Sequence, residues 1–102
     1  MQADTDTERP VLVAPERLIA ATRGEFRAAA LTHLEQLRAD ASVVVIDMSR
    51  TTELDASGLG LLVLIQKRAK ERKLSTRLHR TPERVRNLLK LTMLDFLFEL
   101  TD

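Results

Sequence analysis

One serine, Ser57, stands where three kinds of chemistry could be carried out. It follows Asp55 and Ala56 and precedes Gly58 in the stretch TELDASGLGLL (52–62). A serine hydroxyl can act as a catalytic nucleophile, can accept a regulatory phosphate, or can serve only to begin a helix. The neighbouring residues argue against the first of these roles and leave the other two open.

Catalysis by Ser57 lacks the supporting residues that a serine hydrolase needs. A nucleophilic serine requires a base within reach, an acid that orients the base, and an oxyanion hole. The nucleophile elbow has the pattern G-x-S-x-G, and the stretch DASGL (55–59) does not begin with glycine. The two histidines, His33 and His79, are interpreted as structural residues. We therefore predict no catalytic residue and a protein that is not an enzyme.

Motifs for phosphate-containing cofactors and for metals are also missing from the sequence. Gly58 and Gly60 match neither the P-loop nor the dinucleotide-binding pattern. The absence of cysteine excludes thiolate ligands and disulfides. The carboxylates of Asp47, Glu53 and Asp55 could suggest a metal, but a strand end and a helix cap explain them more simply. We expect no metal and no cofactor.

The composition indicates one small globular domain. The chain has 102 residues, of which 44% are hydrophobic and 30% charged, which suits a single core. A formal net charge of +1 and only 3% aromatic residues give no case for direct nucleic-acid binding or for an anionic membrane. No apolar run approaches the roughly 18 residues of a membrane span, and the acidic start is unlike a signal peptide. We expect a cytoplasmic protein without membrane insertion; the oligomeric state, a homodimer included, stays open.

Strands alternate with helices along the chain, which predicts an α/β fold with a mostly parallel sheet. Residues 1–9 carry no apolar pattern and are predicted to form a flexible tail, which leaves 10–102 as the domain. The predicted elements are an edge hairpin at 11–20, a helix from a Thr22–Glu25 capping box to about Asp40, a buried strand at 42–47, a helix from Asp55 to about Lys73, a strand at 74–79, a helix at 81–91 capped by Thr81, and a closing short helix or strand at 92–100.

The helix that begins at Asp55 carries more apolar side chains than one buried face needs. At about 100° per residue, a stripe at helical spacing is assigned to the core: Gly58, Leu62, Ile65 and Ala69. Val63 and Leu64 then point away from the core, and Leu61 and Leu64 share a flanking face with Ser57. Apolar side chains beside a serine at a helix start favour a surface that docks another protein.

A phosphate at Ser57 would change this surface without unfolding the helix. Ser57 is predicted to be the second helical residue, where free N–H groups and the helix dipole favour an anion. Phosphorylation adds a charge of about −1.5 to −2 next to Asp55 and Glu53. The residues alone leave two interpretations open, a phosphorylation switch and a serine that only suits a first turn.

The arrangement resembles the STAS domain of bacterial anti-sigma factor antagonists. The likeness rests on the strand VVVIDMS (43–49), the helix LDASGLGLLVLIQKRA (54–69) with its D-x-S-G-L-G core, and the ending RVRNLLKLTMLDFLFEL (84–100). It extends from about Val11 to Leu100. The resemblance implies a single STAS-like α/β domain, a small mixed β-sheet with helices packed mainly on one side.

The resemblance also implies partner switching. An unphosphorylated antagonist binds an anti-sigma factor that is a GHKL-type serine kinase, the kinase phosphorylates the serine, and a PP2C-type phosphatase resets it. Carried over by position, Ser57 is the phosphate acceptor, and the partner-binding residues are Asp55, Ala56, Ser57, Gly58, Gly60, Leu61 and Leu64. In this transfer Asp55 shapes the loop, and the two glycines permit close approach.

One departure from the family supports a second hypothesis. Where antagonists usually carry an acidic residue in the first hairpin turn, this chain has Ile19 in the stretch ERLI (16–19). An apolar residue near the partner surface suits a constitutive STAS interaction or scaffold subunit, for example of a lipid-transport ABC system, with no phosphate cycle.

Overall fold

The structure, a computed structural model, describes residues 11–102. Its helices and strands alternate in the order that the sequence predicts. They are β1 (Leu12–Val13), β2 (Arg17–Leu18), α1 (Arg23–Gln36), β3 (Val43–Asp47), β4 (Glu53–Leu54), α2 (Ala56–Glu71), β5 (Ser75–His79), α3 (Glu83–Leu91), a 3-10 helix (Asp95–Leu97) and β6 (Glu99–Thr101). The tail predicted over 1–9 lies outside the described residues.

The main sheet has four strands in the order β1-β3-β5-β6, and each described pair is parallel. β3 and β5 pair along their full length, from Val43 opposite Ser75 to Asp47 opposite His79. The β-branched run of β3 is therefore a central strand, as its lack of alternation predicted. The α/β class with a mostly parallel sheet is confirmed, and among the described residues no antiparallel pair makes the sheet mixed.

The helices pack on one face of this sheet. Val44 and Ile46 of β3 and Leu78 of β5 belong to the same buried core as the apolar residues of α1, α2 and α3. The opposite face carries polar pairs between neighbouring strands, such as the ion pair of Arg77 with Glu99. One polar face and one helix-covered face follow from the period-two alternation of side chains along β5.

The predicted hairpin at 11–20 is wrong, because β1 and β2 join different sheets. β1 pairs with β3, whereas β2 pairs in parallel with β4 to form a second, two-stranded sheet. Pro15 lies at the bend between them, and its carbonyl accepts a hydrogen bond of 2.8 Å from the buried hydroxyl of Thr51. The carbonyl of Glu16 accepts a hydrogen bond of 2.9 Å from the N–H of Thr52. Thr51 and Thr52, which lie between β3 and β4, therefore form hydrogen bonds with the Pro15–Glu16 backbone in place of those between the strands of a hairpin.

The capping box predicted for α1 does not form. The hydroxyl of Thr22 accepts a hydrogen bond from the N–H of Ile19 at 3.1 Å and donates to the carbonyl of Arg17 at 2.6 Å, so it is occupied by the preceding turn. α1 also ends earlier than Asp40, because Leu37 is already extended at its C-terminus.

The C-terminal part of the chain differs from its prediction only in detail. α3 begins after Pro82 rather than after Thr81, and it buries Val85 and Leu89 while Leu88 is half-buried. The segment predicted as a helix or a strand forms both, a 3-10 turn followed by β6. Within residues 11–102, no helix has the length and apolar character to cross a membrane.

Candidate functional site

The start of α2 is held against the turn that follows β2. In the small sheet Leu18 lies opposite Leu54, so both strands end side by side. β4 leads directly into Asp55, and β2 leads into the Ile19–Ala21 turn, in which Ile19 is half-buried and the two alanines are exposed. The N–H of Asp55 donates to the carbonyl of Leu18 at 3.4 Å. Two-residue strands leave no periodic signal in a sequence, and this pairing could not be predicted.

The carboxylate of Asp55 bridges these two elements. One oxygen accepts a hydrogen bond of 2.9 Å from the N–H of Gly58, which confirms Asp55 as the N-cap of α2. The other oxygen accepts one of 3.0 Å from the N–H of Ala20 in the turn. The bonds from Gly58 and then Ala20 lower the pKa of Asp55 against a small opposing effect of burial, with a further contribution from the N–H of Ser57.

A second carboxylate, that of Asp47 at the end of β3, is stabilised in the same ionised state. Burial alone would raise its pKa, but bonds from Ser49 and the guanidinium of Arg80, at 3.0 Å, lower it overall. Glu53 pairs with Arg17 at 2.9 Å across the small sheet. Each of the three acidic residues considered for a metal is thus engaged by its own partner, and the described part of the chain contains no group of three metal-binding side chains.

We expect stability to fall in acid through these two aspartates. Their folded-state pKa values lie below the ordinary value of 3.8, so their contribution is complete above about pH 4 and is lost as the pH falls through the lowered values. Asp55→Asn removes the charge and keeps one acceptor oxygen, which can cap the helix but cannot accept from both Gly58 and Ala20. Urea unfolding across this pH range should show a shallower acid branch for Asp55→Asn than for the wild type. Asp40→Asn removes an exposed carboxylate elsewhere and is the matched control. If the free energy of unfolding falls equally steeply with acid in all three proteins, Asp55 does not contribute to acid stability in this way.

Gly58 is required by the fold. A Cβ atom at this position would lie 2.0 Å from the carbonyl oxygen of Leu18 and 2.9 Å from Cδ1 of Leu54. The close approach that the sequence suggested for a partner is therefore an approach to the chain's own β2. Gly60, by contrast, is exposed, and nothing lies within 4 Å of the position its Cβ would take.

The assignment of Leu61 to the partner surface is wrong. Its side chain is 0% exposed and belongs to the core. The buried side of α2 is wider than the single predicted stripe, spanning about 160° at 100° per residue, because α1, β2, β4 and β5 all contact this helix. The buried residues are Gly58, Leu59, Leu61, Leu62, Ile65 and Ala69.

In the first turns of α2, from Ala56 to Leu64, the residues outside the buried side lie within an arc of about 120°. Farther along the helix, the charged Lys67 and Glu71 continue the same arc. We name the part in the first turns the serine surface, and it consists of Ala56, Ser57, Gly60, Val63 and Leu64. Ala56 and Gly60 are exposed, while Ser57, Val63 and Leu64 are half-buried. The Ile19–Ala21 turn lies next to this surface through its bond to Asp55. Such a surface, apolar with a hydroxyl at the helix start, suits contact with a protein better than chemistry on a small molecule.

Neither histidine forms a hydrogen bond with Ser57 in the described part of the chain. Nδ1 of His79 lies 2.9 Å from the hydroxyl of Thr101 on the polar face of the main sheet. His33 is half-buried on α1, where burial lowers its pKa.

Comparisons with known proteins agree with this fold. A family model, STAS_2, described as "Mlab, STAS domain", matches residues 1–99. Among solved structures, an anti-sigma-factor antagonist (STAS) domain protein from Planctomyces limnophilus superposes with a TM-score of 0.78 at 21% identity. That match covers 90% of this chain and 80% of the other, and at this identity it shows the shared fold.

Proposed function

The chain belongs to the STAS domain family, and we propose that it is a cytoplasmic, non-catalytic anti-sigma factor antagonist controlled by phosphorylation of Ser57. Its partner in this role is an anti-sigma factor of the GHKL-type serine kinase class, and a PP2C-type phosphatase restores the serine. The observation that carries the proposal is the position of Ser57, half-exposed in the first turn of α2 between Ala56 and the exposed Gly60.

The charge around Ser57 supports a switch. Glu53 pairs with Arg17, and the two oxygens of Asp55, the carboxylate nearest to Ser57 in the chain, each accept an N–H from Gly58 or Ala20. A phosphate would be accommodated at the positive end of the helix but would place about two negative charges on an otherwise apolar surface. A partner that buries this surface would then have to desolvate an unpaired charge, which is costly.

Phosphate transfer can be tested directly. GHKL-type kinases of the source organism are incubated one at a time with ATP and the protein, and intact mass is measured. We expect one added phosphate on the wild type and none on Ser57→Ala. Ser42→Ala, which alters an exposed serine before β3, should be labelled normally. Labelling that persists in Ser57→Ala would refute the assignment of the acceptor.

Binding of the partner gives an independent measurement. Ser57→Glu should weaken binding to the kinase by about 1–3 kcal/mol, or roughly fivefold to 150-fold, because the charge is buried without a counterion. Ser42→Glu should leave the affinity unchanged. Thermal unfolding of both variants verifies that the fold is intact.

A second candidate function is a constitutive STAS subunit, for example of a lipid-transport ABC system, with no phosphate cycle. The apolar Ile19 in the turn beside Asp55 and the partly exposed Val63 and Leu64 favour it. This function predicts that Ser57→Glu leaves partner affinity nearly unchanged, whereas Leu64→Ser lowers it. The same titrations therefore distinguish the two functions.

A further inference from the structure

Three large apolar side chains are exposed in the segment between the last residue of α3 and the 3-10 helix, both included. Leu91, Met93 and Phe96 are 82%, 75% and 78% exposed. The other exposed large apolar residues in the described part of the chain, Val11 and Val13, reach only 43% and 47%. Their concentration at one place marks an interaction surface rather than scattered surface apolar residues.

The backbone of this segment favours the same conclusion. Met93 has a φ of 61° at the end of α3, where its N–H donates to the carbonyl of Lys90 and the next N–H, from Leu94, donates to Leu89. Glycine adopts this left-handed conformation at no steric cost and is the usual residue in such a helix ending. Lys73 ends α2 in the same conformation, with a φ of 64°, but its side chain is charged, whereas that of Met93 is apolar and 75% exposed, which suits a contact outside the folded domain.

Three lysines lie beside parts of the segment, with the exposed Glu71 between two of them in the chain. Lys70 and Lys73, at the end of α2, line an open groove of about 410 Å³ together with Phe96. Lys90 immediately precedes Leu91 and is exposed. The acidic residue within the segment, Asp95, is half-buried. The overall charge of +1 conceals this local excess of positive charge.

We propose that the Leu91–Phe96 segment and the lysines of this groove dock the protein on the surface of an anionic lipid bilayer. Exposed apolar residues enter the interfacial region, and lysines beside them bind anionic headgroups while their methylene stems lie along the apolar surface. The charges disfavour a second copy of the chain, because a two-fold interface over this surface would gather the lysines of both copies into one patch. The docking is peripheral and separate from the serine surface.

Co-sedimentation with lipid vesicles tests this proposal. The wild type should bind vesicles of phosphatidylglycerol and phosphatidylcholine in equal parts, bind pure phosphatidylcholine far less, and dissociate as salt is added. The double variant Leu91→Ser/Phe96→Ser should lower the partition coefficient by about tenfold or more. Lys70→Glu/Lys73→Glu should remove the preference for phosphatidylglycerol.

Matched controls separate docking from folding. The double variants Val11→Ser/Val13→Ser and Arg27→Glu/Arg38→Glu make the same kinds of change at exposed positions elsewhere, and both should bind vesicles like the wild type. Met93→Gly should bind more weakly although its melting temperature rises, an outcome that loss of folding cannot produce. Ser57→Glu should bind normally, so the result is independent of the phosphate switch.

Three outcomes would overturn the proposal. The first is a wild type that does not bind phosphatidylglycerol vesicles at low salt. The second is binding that the Leu91→Ser/Phe96→Ser variant retains in full. The third is a wild type that self-associates in solution through this segment and does not bind vesicles, which would assign the surface to a second copy or to a protein partner.

Discussion

Replacing Gly58 with alanine is expected to lower the free energy of unfolding by about 3 kcal/mol or more. The added methyl group would lie 2.0 Å from the carbonyl oxygen of Leu18, which is a backbone atom that cannot rotate away. Either α2 or β2 must move, and with them the bond between Asp55 and Ala20. A loss of this size is a substantial share of the stability of a small domain.

Gly60→Ala is the matched control for this change. Gly60 lies in the same helix, with open space where its Cβ would be, so alanine should stabilise the helix by about 1 kcal/mol through its higher propensity. Urea unfolding of both variants at neutral pH measures the difference. Similar effects of the two substitutions would show that Gly58 does not pack against β2 as described. If Gly60 contacts the partner closely, its alanine variant should also bind the kinase more weakly despite its greater stability.

The second large effect is expected for Leu61→Ala, at about 2–5 kcal/mol of lost stability. Leu61 is fully buried, so its truncation leaves a cavity between α2 and the elements packed around it. Leu64→Ala removes a half-buried side chain from the edge of the core and should cost only about 1 kcal/mol.

For binding to the partner, we expect the reverse of the order for stability, with the larger loss of affinity in Leu64→Ala. Leu64→Ala should weaken binding by about tenfold, as expected for an apolar contact of moderate strength, while the folded fraction of Leu61→Ala should bind with nearly unchanged affinity. Calorimetric titration at a temperature where both variants are folded measures this. A larger loss of affinity for Leu61→Ala would restore Leu61 to the contact surface.

Much of this fold could be predicted because its main elements carry strong local signals. The β-branched run of β3, the Asp55 cap and the length of α2 are each determined by neighbours in the sequence. The errors fall where non-local contacts decide the outcome. The parallel pairing of β2 with β4 crosses the whole of α1 and β3, and no spacing within 11–20 signals it.

The same distinction applies to the site. Asp55 and Ser57 could be placed from the sequence because a helix cap and a first turn are local features. A helical wheel divided the apolar residues of α2 between one buried stripe and a surface, and it assigned Leu61 to the surface. The wheel cannot include the small sheet and α1, which cover the flanks of the helix and bury Leu61. The contact from Asp55 to Ala20 was missed for the same reason.

The bond between Asp55 and the turn has a consequence for how this scaffold can diversify. The carboxylate of Asp55 accepts this hydrogen bond from the main-chain N–H of Ala20, and every amino acid except proline has such a group. The exposed side chains of Ala20 and Ala21, and the partly exposed one of Ile19, can therefore vary while the turn stays anchored at the same place. Paralogues could acquire different partners by substitutions at these positions alone, with the helix cap and the serine beside it kept intact.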